Sequence, residues 1–309
     1  MAIDFTGVRK FCCDALNCKE FYSQDALLGE YKDEISDLQN QLQQKQAELQ
    51  DLQNKYGDSQ NSITFLNQEI NTLKQKIDSL NSQLEKANVE SDIERYYNTK
   101  ISPIQVTYSG RVDPKTKGNV FIDVRNFYVN PEYDSKLQEI VYSYIKITQN
   151  DSNDDKIFKI QKWVRQNINY VSDQYNEGYN EYWQFPYETL LYRMGDCEDG
   201  AILMANLALA AGVPYWRVRI NAGDVEYGGS VAGHAWMTYC RETDNKFVII
   251  DWCYYPDINT PVKDKPYWKD VSMYKTIWFS FNKKYAFSDL KSMVYDEEEF
   301  KKFEGQKVN

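Results

Sequence analysis

The first candidate for chemistry is a cysteine placed directly before an apolar helix. Cys197 follows Gly195 in a polar loop, and residues 201–211 are apolar on nearly every side, which predicts a helix that is stable only inside a core. Gly212 then provides a stop signal. Because the unpaired N–H groups and the positive dipole end of a helix lower the pKa of a thiol, this position predicts that Cys197 is a nucleophile.

A thiol nucleophile needs a base, and the chain contains one histidine, His234. This residue lies between small residues at the start of a predicted strand, and Asp251 follows the apolar run 247–250. Two antiparallel strands joined by a polar turn at 241–246 would bring the carboxylate within reach of the imidazole. Since a buried carboxylate without a partner is costly, the sequence predicts that His234 and Asp251 pair.

Three short segments, in this order, carry a resemblance to a known family. They read Gly-Asp-Cys-Glu-Asp at 195–199, Gly-His-Ala-Trp at 233–236 and Ile-Asp at 250–251. With Trp-Gln-x-Pro-x-Glu-x-Leu at 183–190, they resemble the signature segments of the transglutaminase-like superfamily of papain-like cysteine enzymes, over about residues 130–260. The Gly-Asp-Cys-Glu-Asp form is most similar to prokaryotic and viral members, and the composition resembles that of tailed-phage proteins. The resemblance implies an α+β fold, a papain-like core with a helical part and an antiparallel β-sheet.

The resemblance also implies a mechanism. A Cys-His-Asp triad would act through a thioester intermediate, in which Cys197 attacks a carbonyl, His234 carries the proton and Asp251 holds the ring. The substrate would be a protein or a peptide, and no cofactor is implied. Water would resolve the thioester in a protease or amidase, and a lysine-type amine would resolve it in a cross-linking enzyme. The sequence leaves both open, and hydrolysis is the expectation for the prokaryotic branch.

Further residues are predicted to support this chemistry. The oxyanion hole would combine the backbone N–H of Cys197 with a side-chain donor, either Trp183 or Gln184, and the resemblance does not choose between them. Asp199 is expected to hydrogen-bond a nearby loop. Its charge, like that of Glu198, suits a helix N-terminus but opposes thiolate formation.

The other cysteines predict no metal site. Cys12, Cys13 and Cys18 lie close together in the sequence, but no second Cys/His cluster completes a site and no CxxC pair supports zinc. Cys253 is expected near the predicted site and is assigned to packing. Cys240 lies at the far end of its predicted strand, so a disulfide with Cys253 is not expected.

Composition narrows the partners and the compartment. The net charge of -10 and the pI of about 4.9 disfavour nucleic acid and anionic lipid, which bind basic surfaces. No run of about 18 apolar residues predicts a membrane span, and residues 1–21 lack the apolar stretch of a signal peptide. Six cysteines without a secretory signal are typical of reduced thiols. We expect a cytoplasmic or virion-associated protein.

Apolar residues recur in heptads before this domain, with no intervening proline. The predicted core positions are Leu28, Ile35, Leu42, Leu49, Tyr56, Ile63, Ile70, Ile77 and Leu84, and the alternate set Tyr31, Leu38, Lys45, Leu52, Ser59, Leu66, Leu73, Leu80 and Ala87. A 3-4 spacing kept over this length predicts a coiled coil at 25–99.

Two architectures fit the heptads. A continuous rod over about 25–97 would be about 105 Å long. A helical hairpin would turn at 56–59, where Gly57 is a plausible terminator and Asp58 or Ser59 a plausible cap. Because the register passes through these residues without a slip, the rod is favoured, with Gly57, Lys45 and Ser59 as weak points. A rod would form a homo-oligomer, either a parallel dimer or a trimer.

The remaining sequence predicts alternating helices and strands. Predicted strands are 105–112, 119–129, 215–221, 233–241 and 246–253, and predicted helices besides that of Cys197 are 134–149, 154–169 and 296–302. A Tyr/Asn-rich loop is predicted at 173–182 and a Gly/Glu-rich flap at 222–232.

The sequence thus divides into an N-terminal segment at 1–24, a coiled coil at 25–99 and a transglutaminase-like domain at 100–309. The first functional hypothesis is a cysteine acyl enzyme tethered to an oligomerising coiled coil. The alternative is a structural virion component, such as a fibre, neck or tail protein, whose head serves binding rather than catalysis.

Overall fold

The computed structural model describes residues 19–55, 60–113, 115–131, 134–176, 178–288 and 290–304. The chain forms two compact units that divide between Asp92 and Ile93. The helices are α1 (Lys19–Lys55), α2 (Gln60–Thr99), α3 (Ser135–Glu139), α4 (Asn153–Asn167), α5 (Asp173–Asn176), α6 (Pro186–Tyr192), α7 (Cys197–Ala210) and α8 (Glu297–Glu304). Among these described helices, none combines the length and the hydrophobicity that a membrane crossing requires.

The strands are β1 (Pro103–Ile104), β2 (Thr107–Val112), β3 (Asn119–Asp123), β4 (Asn169–Tyr170), β5 (Met194–Gly195), β6 (Val218–Tyr227), β7 (Ser230–Cys240), β8 (Phe247–Ile250), β9 (Tyr274–Phe281) and β10 (Ala286–Phe287). Six of them form one antiparallel sheet in the order β1-β10-β9-β6-β7-β8. Helices beside an antiparallel sheet confirm the predicted α+β class.

The first unit contains a pair of long helices that bury an apolar stripe. Ile35 and Leu38 of α1 form a buried cluster with Leu80 of α2. Partly buried side chains extend this cluster: Tyr31, Leu73, Ile77 and Leu84. All of these are predicted heptad core positions, so the pattern identified the buried face of both helices.

Two ion pairs give the direction of the helices. Glu34 lies 2.6 Å from Lys76, and Lys45 lies 3.8 Å from Glu69. An earlier residue of α1 therefore meets a later residue of α2, which makes the helices antiparallel. The preference for a continuous rod over 25–97 is wrong, and the hairpin alternative fits these contacts.

The unbroken heptad register did not indicate a continuous helix, for a physical reason. In an antiparallel pair each helix needs only its own apolar stripe, so an unbroken register across a turn carries no information about continuity. Gly57 and the other residues at 56–59 lie outside the described residues. Lys45, a predicted weak point, is half-buried and pairs with Glu48 at 3.2 Å as well as with α2.

Strands β6 and β7 form a long hairpin at the centre of the sheet. They pair without interruption from Val218 with Tyr239 to Tyr227 with Ser230. Gly228 and Gly229 form the turn with φ values of 58° and 82°, which glycine adopts without strain. The predicted flap at 222–232 is therefore wrong, because two adjacent glycines at the tip let the strands continue through it.

Helix α7 forms the centre of the core, as the sequence predicted. Every residue from Glu198 to Ala210 is buried, and α4 packs Ile157, Ile160 and Val164 in the same core. Residue Ser152 caps α4 by accepting the backbone N–H of Asp155 at 3.1 Å. The nucleophile candidate thus begins a helix whose position is fixed on all sides.

Two predicted elements are shorter than expected. Strand β3 ends at Asp123 rather than at residue 129, and Val124–Phe127 form a 3₁₀ turn that buries both its end residues. A spacing of three matches the 3₁₀ period, so this turn places both side chains on one face. The predicted helix 134–149 is α3 followed by a wider π-helical turn at Ile140–Tyr144.

Candidate active site

Cys197 is the first residue of α7, and a tryptophan holds the start of this helix. Trp252 donates its indole N–H to the backbone carbonyl of Cys197 at 3.2 Å. The contact requires glycine one turn later, because a Cβ on Gly200 would lie 2.1 Å from the indole nitrogen. The nucleophile candidate is therefore fixed through its backbone by a residue adjacent to Asp251.

His234 and Asp251 form a short hydrogen bond across two strands. The register of β7 with β8 runs from Cys240 with Phe247 to Met237 with Ile250. Strand β8 ends at Ile250 rather than at residue 253, and Asp251 follows directly. Its Oδ2 lies 2.7 Å from Nε2 of His234, and both side chains are buried. The structure brings this predicted pair together.

The Asp251 carboxylate is surrounded by donors. Oδ2 also accepts the hydroxyl of Tyr274 at 2.7 Å, and Oδ1 accepts the backbone N–H groups of Cys253 at 3.0 Å and Tyr254 at 3.3 Å. Burial alone would raise the pKa of this carboxyl, but the hydrogen bond and charge of His234, with the other donors, hold the pKa below its ordinary value. Asp251 is thus an ionised acceptor inside the protein.

Cys197 and His234 line one cleft of about 520 Å³ between the helical part and the sheet. Its walls include aromatic side chains from three segments: Tyr108, Trp183, Trp278 and Phe279. Trp278 is half exposed, and its indole N–H donates to Asp224 Oδ2 at 3.0 Å. The cleft has the size and the mixed lining of a small-ligand or peptide-side-chain pocket.

The electrostatics of the thiol differ from the sequence-based expectation. Cys197 donates its S–H to Glu198 Oε2 at 3.1 Å. Burial raises the pKa of the Cys197 thiol well above its ordinary value, and the charges of Glu198, Asp196 and Cys253 raise it further. The predicted lowering of this pKa is wrong, because acidic neighbours and desolvation outweigh the helix dipole.

Asp199 connects the start of α7 to the loop before α6. Its Oδ1 accepts the backbone N–H of Gln184 at 2.7 Å, and its Oδ2 accepts the backbone N–H of Asp196 at 3.1 Å. The loop contact is of the kind that the sequence analysis expected for Asp199.

The two candidate oxyanion donors occupy different places. Trp183 lines the cleft, and its indole N–H donates to Glu181 Oε1 at 2.7 Å. Gln184 is fully buried, and its amide donates to the Met194 carbonyl at 3.4 Å. Of the two, Trp183 is the one with its side chain at the cleft.

A cluster of carboxylates beside Cys197 was not identified from the sequence. Oxygen atoms of Asp173, Glu181 and Glu198 lie within 4.8 Å of one another, and Asp173 is also this close to Asp196 and Asp199. Burial raises the pKa of Glu181, Asp196, Glu198 and Asp199. Repulsion from neighbouring carboxylates adds to the rise at Glu181, Glu198 and Asp199. Asp173 and Glu181 come from the Tyr/Asn-rich segment, whose composition gave no sign that it reaches the site.

Two of the other cysteines, Cys240 and Cys253, lie among the residues that the structure describes. Cys253 follows Asp251, and its thiol lies 3.7 Å from Oδ1 of that carboxylate. Burial and the charge of Asp251 raise the pKa of the Cys253 thiol. Cys240 is buried, and Cys197, Cys240 and Cys253 are all free thiols. Cys12, Cys13 and Cys18 lie outside the described residues.

Comparison with known proteins gives a family match and structural relatives. A family model described as a transglutaminase-like domain matches residues 135–276. Calcium-bound LapG from Legionella pneumophila is 19% identical with a TM-score of 0.40, covering 55% of this chain and 97% of that one. The EGTA-treated form is 21% identical with a TM-score of 0.38, covering 55% and 93%. Comparison with curated proteins gives no match.

Proposed function

We propose that this chain, whose residues 135–276 form a domain belonging to the transglutaminase-like superfamily, is a cysteine peptidase or amidase. One juxtaposition carries the proposal. Cys197 lines the same cleft as His234, and Nε2 of His234 bonds to the buried carboxylate of Asp251 at 2.7 Å. A nucleophile, a base and an orienting acid in this order are the elements of covalent acyl transfer.

The hydrogen bond to Asp251 supports a separate role for each nitrogen of His234. Because an ionised carboxylate only accepts, Nε2 carries the hydrogen toward Asp251, and Nδ1 is left with a lone pair. Nδ1 takes the proton from Cys197 as Sγ bonds to the substrate carbonyl carbon. The same proton then passes to the leaving nitrogen as the C–N bond breaks, which releases an amine and leaves a thioester.

Water completes the cycle in the hydrolytic reading. Nδ1 removes a proton from the water as its oxygen bonds to the thioester carbon, and the C–S bond then breaks to release a carboxylic acid and the thiol. The developing oxyanion would be held by the backbone N–H of Cys197 and by the indole N–H of Trp183, once that group leaves Glu181. Losing one such donor typically costs about 3 kcal/mol in the barrier.

Alkylation of the purified protein with iodoacetamide near neutral pH tests this proposal. Mass mapping should show faster modification of Cys197 than of the other five cysteines, and His234→Ala should remove this preference. Cys240→Ser, at a buried free thiol bonded to the Asn245 carbonyl, serves as the matched control and should leave it unchanged. Equal labelling of Cys197 in wild type and His234→Ala would contradict an activated thiol.

Incubation with a glutamine-containing peptide and a labelled primary amine separates the two fates of a thioester. Hydrolysis predicts release of ammonia or a cleaved peptide without incorporation of the label. Incorporation that depends on Cys197 would instead assign the chain to the cross-linking branch of the superfamily.

The acidic cluster supports an additional feature, a site for a hard divalent cation formed by Asp173, Glu181 and Glu198. Carboxylate oxygens are the donors that Ca²⁺ and Mg²⁺ prefer. The fit is favoured by Glu198, which is only 3% exposed and whose Oε1 has no hydrogen-bond partner among the described residues. When bound, the ion would supply positive charge to a cluster that lacks it. The sequence predicted no metal site, so the proposed cation site differs from the sequence-based expectation.

Thermal unfolding with added CaCl₂ or MgCl₂ tests the cation site without measuring activity. Binding to the folded state raises the melting temperature in a concentration-dependent way. Glu198→Gln should reduce the rise, and Glu297→Gln on the exposed face of α8 should leave it unchanged. A melting temperature that neither salt alters would remove the cation from the proposal.

A binding head without catalysis is the second candidate, as part of a virion or another assembly. It is favoured by the Cys197 thiol, which is hydrogen-bonded to Glu198 and has a raised pKa. Cys197→Ala separates the candidates, because a binding role predicts full biological function from this variant and a peptidase role predicts none.

A further inference from the structure

The carboxylate that holds His234 has a second side-chain donor, and it comes from a distant part of the chain. Tyr274 donates its hydroxyl to Oδ2 of Asp251 at 2.7 Å, and this is the same oxygen that bonds Nε2 of His234 at 2.7 Å. Tyr274 begins β9, which pairs with β6 rather than with the strands of the other two residues. Three separate strands or strand ends thus meet at one oxygen atom.

The phenol ring is fixed by its neighbours. Its centroid lies 4.9 Å from that of Trp236 and 5.8 Å from that of Tyr254. Burial and the charge of Asp251 raise the pKa of Tyr274 far above its ordinary value, so the hydroxyl keeps its proton and remains a donor. Neither rotation nor ionisation removes this donor from the carboxylate.

We infer that Tyr274 is a positioning residue for the proposed cysteine chemistry, which fixes Asp251 and thereby the ring of His234. This inference rests on the proposed function. The hydroxyl restrains one carboxylate oxygen, so that Nε2 of His234 meets it in one direction and Nδ1 is the nitrogen left for the proton of Cys197. Tyr274 acts through Asp251 and touches no reacting atom.

Removing the hydroxyl has a definite electrostatic consequence. A buried carboxylate that loses one of its donors becomes more basic and attracts a positive partner more strongly. The imidazolium form of His234 is that partner. The Tyr274→Phe variant should therefore bind the His234 proton more tightly, and its imidazole should titrate at higher pH than in the wild type.

Several titratable groups face this carboxylate and must be considered together. They are His234 from β7, Cys253 and Tyr254 from the segment after β8, Tyr274 from β9 and, through its charge on His234 and Cys253, Asp196 before α7. Only Tyr274 is changed by the variant, so a shifted titration reports its hydroxyl.

The single histidine makes this measurement direct. Nitrogen-15 NMR of the imidazole follows one residue in the full chain and needs no substrate. In the uncharged imidazole of wild type we expect the hydrogen on Nε2 and a bare Nδ1. In Tyr274→Phe the midpoint of the titration should rise by about half to one pH unit.

Tyr239→Phe is the matched control. Tyr239 is fully buried in β7, the strand of His234, and donates its hydroxyl to Asp154 at 2.9 Å. The variant removes a comparable hydrogen bond between a phenol and a carboxylate, far from Asp251. Its His234 titration should superimpose on that of wild type. A Tyr274→Phe titration that also superimposes, or that shifts only as much as Tyr239→Phe, would overturn the inference.

A wild-type measurement covers the case in which Tyr274→Phe does not fold. The hydroxyl proton of Tyr274 should be visible, protected from exchange, and close in space to the Nε2 hydrogen of His234. A hydroxyl without this proximity overturns the inference. Failure of the proposed function is distinct, because it would appear as an unreactive Cys197 while the titration shift and the proton contact remain.

Discussion

Buried carboxylates lie in two places beside the same cleft, and their surroundings differ. One is Asp251, and the other is the acidic cluster that includes Glu198. Asp251 receives five donors: Nε2 of His234, the hydroxyl of Tyr274, the backbone N–H groups of Cys253 and Tyr254, and the weak S–H donor of Cys253. Glu198, across the cleft, accepts the weak S–H donor of Cys197, and its second oxygen has no partner among the described residues.

The difference teaches that the neighbouring donors and charges, rather than burial alone, decide which buried carboxylate is charged. Burial raises the pKa in both groups. At Asp251 the donors reverse this effect and the pKa is lowered, whereas at Glu198 neighbouring acids add to it and the pKa is raised. The first group is prepared to stabilise an imidazolium, and the second is prepared to take up a proton or a cation.

The largest effect on turnover is expected from a change at Asp251, the carboxylate with the most hydrogen-bond donors. Asp251→Asn keeps the size of the side chain but loses the charge and presents an N–H where His234 needs an acceptor. Because the imidazole would then turn to its other tautomer, we expect Cys197-dependent turnover to fall by about 10³- to 10⁴-fold. Steady-state rates with a cleaved peptide measure this. If the variant retained one tenth or more of the activity, Asp251 and the acidic cluster that includes Glu198 would not differ in function.

The same variant predicts a pH dependence of stability. The pKa of Asp251 is lower in the folded state than its ordinary value of 3.8, so its contribution to folding is complete above that value and is lost as pH falls through the folded pKa. Wild type should therefore lose stability faster than Asp251→Asn as the pH falls below about 4. Urea unfolding at several acidic pH values tests this, and parallel curves for the two proteins would contradict it.

The sequence was sufficient for the features that depend on local pattern. The apolar run after Cys197 predicted helix α7. The apolar run before Asp251 and the short polar turn at 241–246 predicted two paired strands and the pairing of His234 with Asp251. These signals lie within one element or between neighbours joined by a short turn. The family motifs added the order Cys197, His234, Asp251 along the chain. Local sequence pattern alone does not show what that order means.

The sequence was insufficient where distant segments meet. Tyr274 reaches Asp251 from a strand on the other side of β6, and Asp173 and Glu181 reach Glu198 from a segment without a regular pattern. The raised pKa of Cys197 follows from burial and then from the charges of Glu198, Asp196 and Cys253, and a helix-start motif reports neither the burial nor the nearby Cys253. The direction of the two long helices was missed for a related reason, because heptads define a buried face and not the partner that covers it.

A moderate effect is expected from the best-satisfied member of the acidic cluster. Asp199 accepts backbone N–H groups from Gln184 and Asp196. Asp199→Asn replaces one acceptor oxygen by an NH₂ group that faces a donor, and the loss should be about 1–3 kcal/mol of unfolding free energy. Urea unfolding measures this. No loss would mean that Asp199 belongs with the poorly satisfied acids and that the division between donor-rich and donor-poor carboxylates is drawn in the wrong place.

The smallest effect should come from the donor-poor carboxylate itself. In buffer with EDTA, Glu198→Gln removes a carboxylate that the charges of Asp196 and Asp199 repel. The buried side-chain oxygen without a hydrogen-bond partner then belongs to an uncharged amide. We therefore expect unchanged stability or a gain of up to about 1 kcal/mol, the opposite sign from Asp199→Asn. Glu297→Gln on α8 provides the baseline for a Glu-to-Gln change at an exposed site. A clear loss of stability in Glu198→Gln would show that this carboxylate has a favourable partner. Glu198 and Asp251 would then not differ in how well their carboxylates are satisfied by donors.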